Sequence, residues 1–160
     1  MLKALFILLP GSLLSVSALA MVAPVKGDTT CTIVTALLER NAVEKPCQFE
    51  GVSGVSMVYY VKEITFTLPK GKTVEIINNA TFRFEDKEIL DLEEEEILLD
   101  NQPAKVIHIN SRTLRPISPQ QLNKQHEAKD PDYSEVLHCL KPIKKDSAFC
   151  IPYDLMMSIS

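Results

Sequence analysis

The chain has 160 residues, with 17 Lys+Arg against 21 Asp+Glu for a formal charge of −4, four cysteines and no tryptophan. That length holds one core of ordinary size and excludes a large multi-substrate enzyme, while the mild acidity gives no general attraction for phosphate backbones, so nucleic acid is not an expected partner. At 46% hydrophobic and 24% charged residues, the composition also excludes disorder along the whole length.

Lys3 is followed by the apolar run Ala4-Leu5-Phe6-Ile7-Leu8-Leu9, a Pro10-Gly11 break and a second apolar stretch closing on Ala18-Leu19-Ala20. A basic start, a greasy middle and small residues at the end describe a secretory signal peptide over residues 1–20, cut before Met21. The alternative is an uncleaved anchor, since the apolar region stretches to Val25 and approaches bilayer-spanning length; Pro10-Gly11 in its middle favours cleavage. The remainder divides into a flexible lead, residues 21–30, and one disulfide-stabilised domain, residues 31–160. No later apolar run is long enough to cross a membrane, so a secreted or periplasmic protein is expected.

Cys31, Cys47, Cys139 and Cys150 all follow the expected cut and fall as two close pairs. Each pair brackets a candidate hairpin, which favours Cys31 with Cys47 and Cys139 with Cys150. Neither pair has the CxxC spacing of a metal or redox dithiol, so structural disulfides are expected.

Strands are expected over residues 31–38 and 43–49, about a polar centre at Glu39-Arg40-Asn41, with the first disulfide at the open end of that hairpin. Residues 55–61 are rich in β-branched and aromatic side chains. Residues 63–68 alternate strictly, placing Ile64, Phe66 and Leu68 on one face. Pro69-Lys70-Gly71-Lys72 is a turn, residues 73–77 form the returning strand, and residues 81–85 alternate again after an Asn78-Asn79 break. Residues 85–100 are acidic, with Lys87 their one base, yet carry enough Leu and Ile to pack; their pattern fits neither helix nor strand well.

Residues 105–110 are a further strand, with Ile107 and Ile109 on one face and His108 on the other with Val106 and Asn110. Ser118-Pro119-Gln120-Gln121 has the form of a helix start, with Ser as cap, Pro first and Gln third. A polar surface helix from there to about Lys129 has little to bury. Residues 133–155 read as a second stapled hairpin. The fold class is mainly β: an antiparallel meander or small open barrel or sandwich, with one short surface helix and two disulfide-stapled hairpins.

Signals for chemistry are sparse. Gly71-Lys72-Thr73 resembles the end of a phosphate loop, but Phe66 stands where its first glycine belongs. Gly51-Val52-Ser53-Gly54 has Val55 in place of the last glycine of a nucleophile elbow and reads as a flexible loop. His126-Glu127 begins like a zinc-protease helix, with Asp130 where the second histidine belongs. Asn79-Ala80-Thr81 has the form of a glycosylation sequon. A zinc site built on histidine would need His108, His126 and His138 to converge.

These patterns point to no catalytic residue, no metal and no cofactor. Charge asymmetry is the positive feature: Glu93, Glu94, Glu95 and Glu96 form a candidate acidic binding face, whereas residues 112–145 are rich in Lys and Arg. The expectation is a non-catalytic binding or structural module whose partner is a cationic protein or envelope component. Two alternatives stay open: a small hydrolase or metal-dependent enzyme using the histidines, and an inhibitor of a basic extracellular enzyme acting through the acidic ridge.

Overall fold

A computed structural model of the protein describes residues 21–55, 59–85 and 88–159. The expected signal segment, residues 1–20, lies outside these. Nine strands make one antiparallel sheet: β1 (Met21–Ala36), β2 (Asn41–Val55), β3 (Tyr59–Thr67), β4 (Thr73–Glu85), β5 (Glu88–Leu99), β6 (Gln102–Asn110), β7 (Pro116–Ile117), β8 (Val136–Pro142) and β9 (Ala148–Pro152). The helices are α1 (Pro119–His126) and α2 (Tyr153–Ser158). Order across the sheet is β5-β4-β3-β2-β1-β9-β8-β6-β7, and β5 also pairs with β6, so the sheet closes into a barrel with β7 hung outside on β6.

The alternation anticipated for β3 is realised, with Ile64, Phe66 and Leu68 all buried. They join Phe49, Val74, Ile76, Leu99, Leu140, Phe149 and Ile151 in the barrel interior. A second cluster, around Val34, Ile109, Leu137 and Ala148, packs on the outer surface of the β8–β9 side. Both expected disulfides are present, one in each cluster. Cys31–Cys47 faces the interior, and Cys139–Cys150 joins directly opposed residues on the outer side. Two such bonds are consistent with an extracytoplasmic protein. Among the described residues no helix is long and apolar enough to cross a membrane.

Several expected boundaries move. Residues 21–30, read as a flexible lead, are the first part of β1 and pair with β2 as far as Met21–Val55, so the Cys31–Cys47 bridge sits midway along this hairpin. Backbone pairing, which composition does not register, orders them. Residues 51–54 are likewise strand, not loop: β2 and β3 approach so closely that a Cβ on Gly51 would lie 2.0 Å from the Glu63 carbonyl oxygen. Of the β-branched and aromatic stretch at residues 55–61, Val55 ends β2 and Tyr59 opens β3, while residues 56–58 lie outside the described set.

Asn78-Asn79 does not break β4. The ladder to β3 lapses between the Tyr60–Ala80 and Glu63–Ile77 pairs, and the Asn79 side chain bridges the gap. Its Oδ1 accepts from the Lys62 backbone N–H at 3.2 Å, and its Nδ2 donates to Glu63 at 3.0 Å. The amide nitrogen of the sequon is therefore already engaged. The acidic stretch resolves as strand β5, two-faced with bulged register against β4, which explains its poor fit to a simple period.

Pro69, Lys70 and Gly71 form the expected turn, with Gly71 at φ 75°. Helix α1 carries the anticipated capping box: Ser118 Oγ accepts from the Gln121 N–H, and Gln121 Oε1 accepts from the Ser118 N–H. It does not ride free on the surface, because Leu122 is buried with Val136 and Tyr153. Helix α2 takes the place of the last residues of the expected hairpin at 133–155. Strand β9 runs from the hairpin tip at Ala148 to Pro152, so α2 begins at the opposite end of the barrel. There Met156 enters the core, with Leu155 and Ile159 packed beside it.

Candidate functional site

The acidic run occupies β5, where register sets Glu94 opposite Thr81 and Glu96 opposite Asn79 on β4. Thr81 in turn faces Tyr59 on β3. This outer wall holds an open groove of about 470 Å³, with Val22, Tyr59 and Val61 in its lining and Glu94 and Glu96 at its border. Glu94, Glu95 and Glu96 are exposed, and of Glu93 only the backbone is described. Among the described residues no ion pair joins Glu94, Glu95 or Glu96 to a base. Two of the C-terminal bases are used locally: Arg112 pairs with Glu135 at 2.9 Å, and Lys141 donates to the Lys145 carbonyl. Sequence reasoning missed Tyr59 and Val61, since only the β3–β4–β5 register brings them beside the acids.

A second polar constellation lies at the α2 end, and it gathers the three histidines. His108 on β6 and His138 on β8 are directly paired across the ladder, with His108 Nε2 and His138 Nδ1 3.2 Å apart. His126 closes α1, and its ring lies between two phenols, with Tyr133 Oη 2.7 Å from Nδ1 and Tyr153 Oη 3.0 Å from Nε2. A neutral imidazole satisfies both by accepting from one and donating to the other. Tyr153 also packs edge-on against His108, the ring centroids 5.2 Å apart. The result is a connected series from exposed His126 inward to buried His138.

At its inner end is Lys62, 1% exposed, whose Nζ donates to the Met156 carbonyl at 3.1 Å and lies over the Tyr60 ring. Met156 belongs to the last turn of α2, at the negative end of the helix dipole, so a buried ammonium caps the helix. Burial pushes the Lys62 ammonium down to about 8. His138 is pushed down to about 3, first by burial and then by the neighbouring charges of His108 and Lys62. His108 is lowered by burial and by His126, and the Tyr153 phenol is raised by burial and by Tyr133. Ser53, opposite Lys62 across the β2–β3 ladder, is buried, and among the described residues neither its Oγ nor His138 Nε2 has a hydrogen-bond partner.

The arrangement brings the histidines together but not onto a shared point. His108 and His138 each turn a ring nitrogen to the other, and His126 spends both of its nitrogens on tyrosines. Among the described residues no group of three His, Cys, Asp or Glu is placed to hold a metal ion. A general base also needs a route to substrate, and His138 Nε2 and Ser53 Oγ are buried from solvent. These contacts join the helices to the barrel: His126 of α1 meets Tyr153 of α2, Tyr153 packs on His108 of β6, and Lys62 of β3 reaches Met156 of α2. Comparison with known proteins finds no likeness to use: no family model, no curated protein and no solved structure matches the chain.

Proposed function

We propose that the protein is an extracytoplasmic, non-catalytic binding module whose recognition surface is the groove between Tyr59 and the acids of β5. The observation that carries this is Glu94 and Glu96, exposed and, among the described residues, not paired to a base, beside an apolar lining with aromatic character. Such a surface suits a cationic polypeptide segment, whose Lys or Arg heads meet the carboxylates while their methylene stems and apolar neighbours cover the lining. Pairing with a desolvated carboxylate beside a tyrosine favours Arg over Lys. Inhibition of a basic extracellular enzyme is one form such binding takes.

The test is capture of partners from the cognate envelope extract on immobilised protein, at low and at high salt, beside a Glu94→Gln/Glu96→Gln variant. Both substitutions are on exposed positions and leave the fold intact. The expected result is a basic partner retained at low salt, lost at high salt and lost with the variant. Retention that is indifferent to salt and to the two carboxylates would overturn the assignment.

A further inference from the structure

The barrel end away from α2 carries a separate, preformed cup. Three hairpin tips and the end of β1 meet there: the turn from Leu68 to Lys72, the turn at Asp100 and Asn101, and the turn between Pro142 and Ser147. They enclose a cavity of about 240 Å³ whose floor is the top of the core, Leu68, Val74, Leu99 and Phe149. The rim is polar and includes the exposed bases Lys72 and Lys145.

Backbone hydrogen bonds fix that rim. The Leu68 N–H donates to the Lys72 carbonyl, the Asp100 N–H to the Glu75 carbonyl, the Ile143 N–H to the Pro103 carbonyl and the Leu37 N–H to the Asp146 carbonyl. The acids of these turns are engaged as well: Asp100 Oδ1 accepts from the Glu75 N–H at 2.9 Å, and Asp146 Oδ2 accepts from the Leu38 N–H at 3.3 Å. With both carboxylates turned to backbone donors, Lys72 and Lys145 are the charged groups left to meet a ligand over the apolar floor, in a chain whose formal charge is −4. An acidic protein that concentrates cations at a concave apolar site selects for anions there.

We propose that this cup binds a small anionic amphiphile, a short-chain alkyl or aryl carboxylate. Its carboxylate sits between Lys72 and Lys145, and its apolar end rests on Leu68, Val74, Leu99 and Phe149. The volume lies below the range of drug-sized pockets, about 300–1,000 Å³, which limits the occupant to one short chain or ring. Because the rim is tied before the ligand arrives, little ordering cost falls on binding. The site is independent of the β5 groove, which lies on the outer wall.

Octanoate, held below its micellar concentration, is the probe, with octanol as its uncharged counterpart. Both are titrated by calorimetry and by amide chemical shifts into the wild-type protein and into a Lys72→Gln/Lys145→Gln variant, whose exposed substitutions leave the core untouched. The expected result is octanoate affinity at least tenfold above that of octanol, with shifts centred on Lys72, Leu99, Lys145 and Phe149. In the variant the two ligands bind alike. The proposal is overturned if octanoate binds no more tightly than octanol, if the shifts centre elsewhere, or if the variant keeps the preference.

Discussion

The two ends of the barrel solve opposite problems. At the mouth, hairpin tips carry lysines into water and leave the apolar core as the floor of a cup. At the base, a lysine and two histidines turn inward, and two helices close over them. The strands are common to both ends, so the difference lies in which residues the pleat turns inward and what covers them. Charge left in water costs little and is free to meet a ligand. Charge taken inside must be hydrogen-bonded and holds structure in place.

The sharpest way to break this contrast is at Lys62. Lys62→Ala deletes a buried stem and leaves a cavity, and is expected to cost about 3 kcal/mol in chemical denaturation. Lys62→Met, which keeps the volume and removes the buried charge, should stay within about 1 kcal/mol of wild type. Equal losses for the two variants would mean that the charge itself, not the filled space, holds α2.

Acid should find the base before the mouth. His138 is held at about 3 in the folded protein against an ordinary 6.5, so between those values the unfolded chain takes up a proton that the fold refuses. Its stabilising contribution is complete above 6.5 and is lost as the pH falls, amounting to about 2 kcal/mol by pH 5. His108, lowered as well, acts in the same direction. Unfolding midpoints measured at pH 7 and pH 5 for wild type and His138→Phe check this; a variant as acid-sensitive as the parent would place the titration elsewhere.

A smaller change is expected at the surface of the same end. Tyr153→Phe removes the hydroxyl that meets His126 and should cost about 1 kcal/mol. Faster amide exchange should appear within α1, at Leu122 above all, and leave the β3 core protected. The least effect belongs to the mouth, where Lys72→Gln/Lys145→Gln should change stability by less than about 0.5 kcal/mol. A loss comparable to that of Tyr153→Phe would show that these lysines serve the fold and would remove the contrast between the ends.

The outlines of this fold were legible because they rest on local signals. Alternation through Ile64, Phe66 and Leu68, the Ser118 capping box and the close cysteine pairs each translate directly into structure. Even Lys62 was visible in principle, since it continues the inward face of β3 by two residues. What escaped depends on register and closure. Gly51 had to be glycine because of a carbonyl on the next strand, and Asn79 continues a ladder by standing in for backbone. The acidic run hid its strand behind bulges, and the neighbours that make it a groove belong to other strands. The three histidines meet only after β6, β8 and α1 are in place.

The pairing of β1 with β9, through Thr32 and Cys150, joins the first and last strands described. Every other seam between neighbouring strands, β6 with β8 apart, is a hairpin available as soon as its own residues emerge. This one waits until the whole stretch from Thr32 to Cys150 has been made, so a chain leaving a ribosome or a translocon carries an unsealed sheet with sticky margins over that span. Loop-closure entropy makes such a long-range junction slow. Locking β8 to β9 through Cys139–Cys150 would present the late-arriving edge as a ready-made unit, so an oxidant deficit should slow sealing and promote clumping more than it weakens the finished molecule.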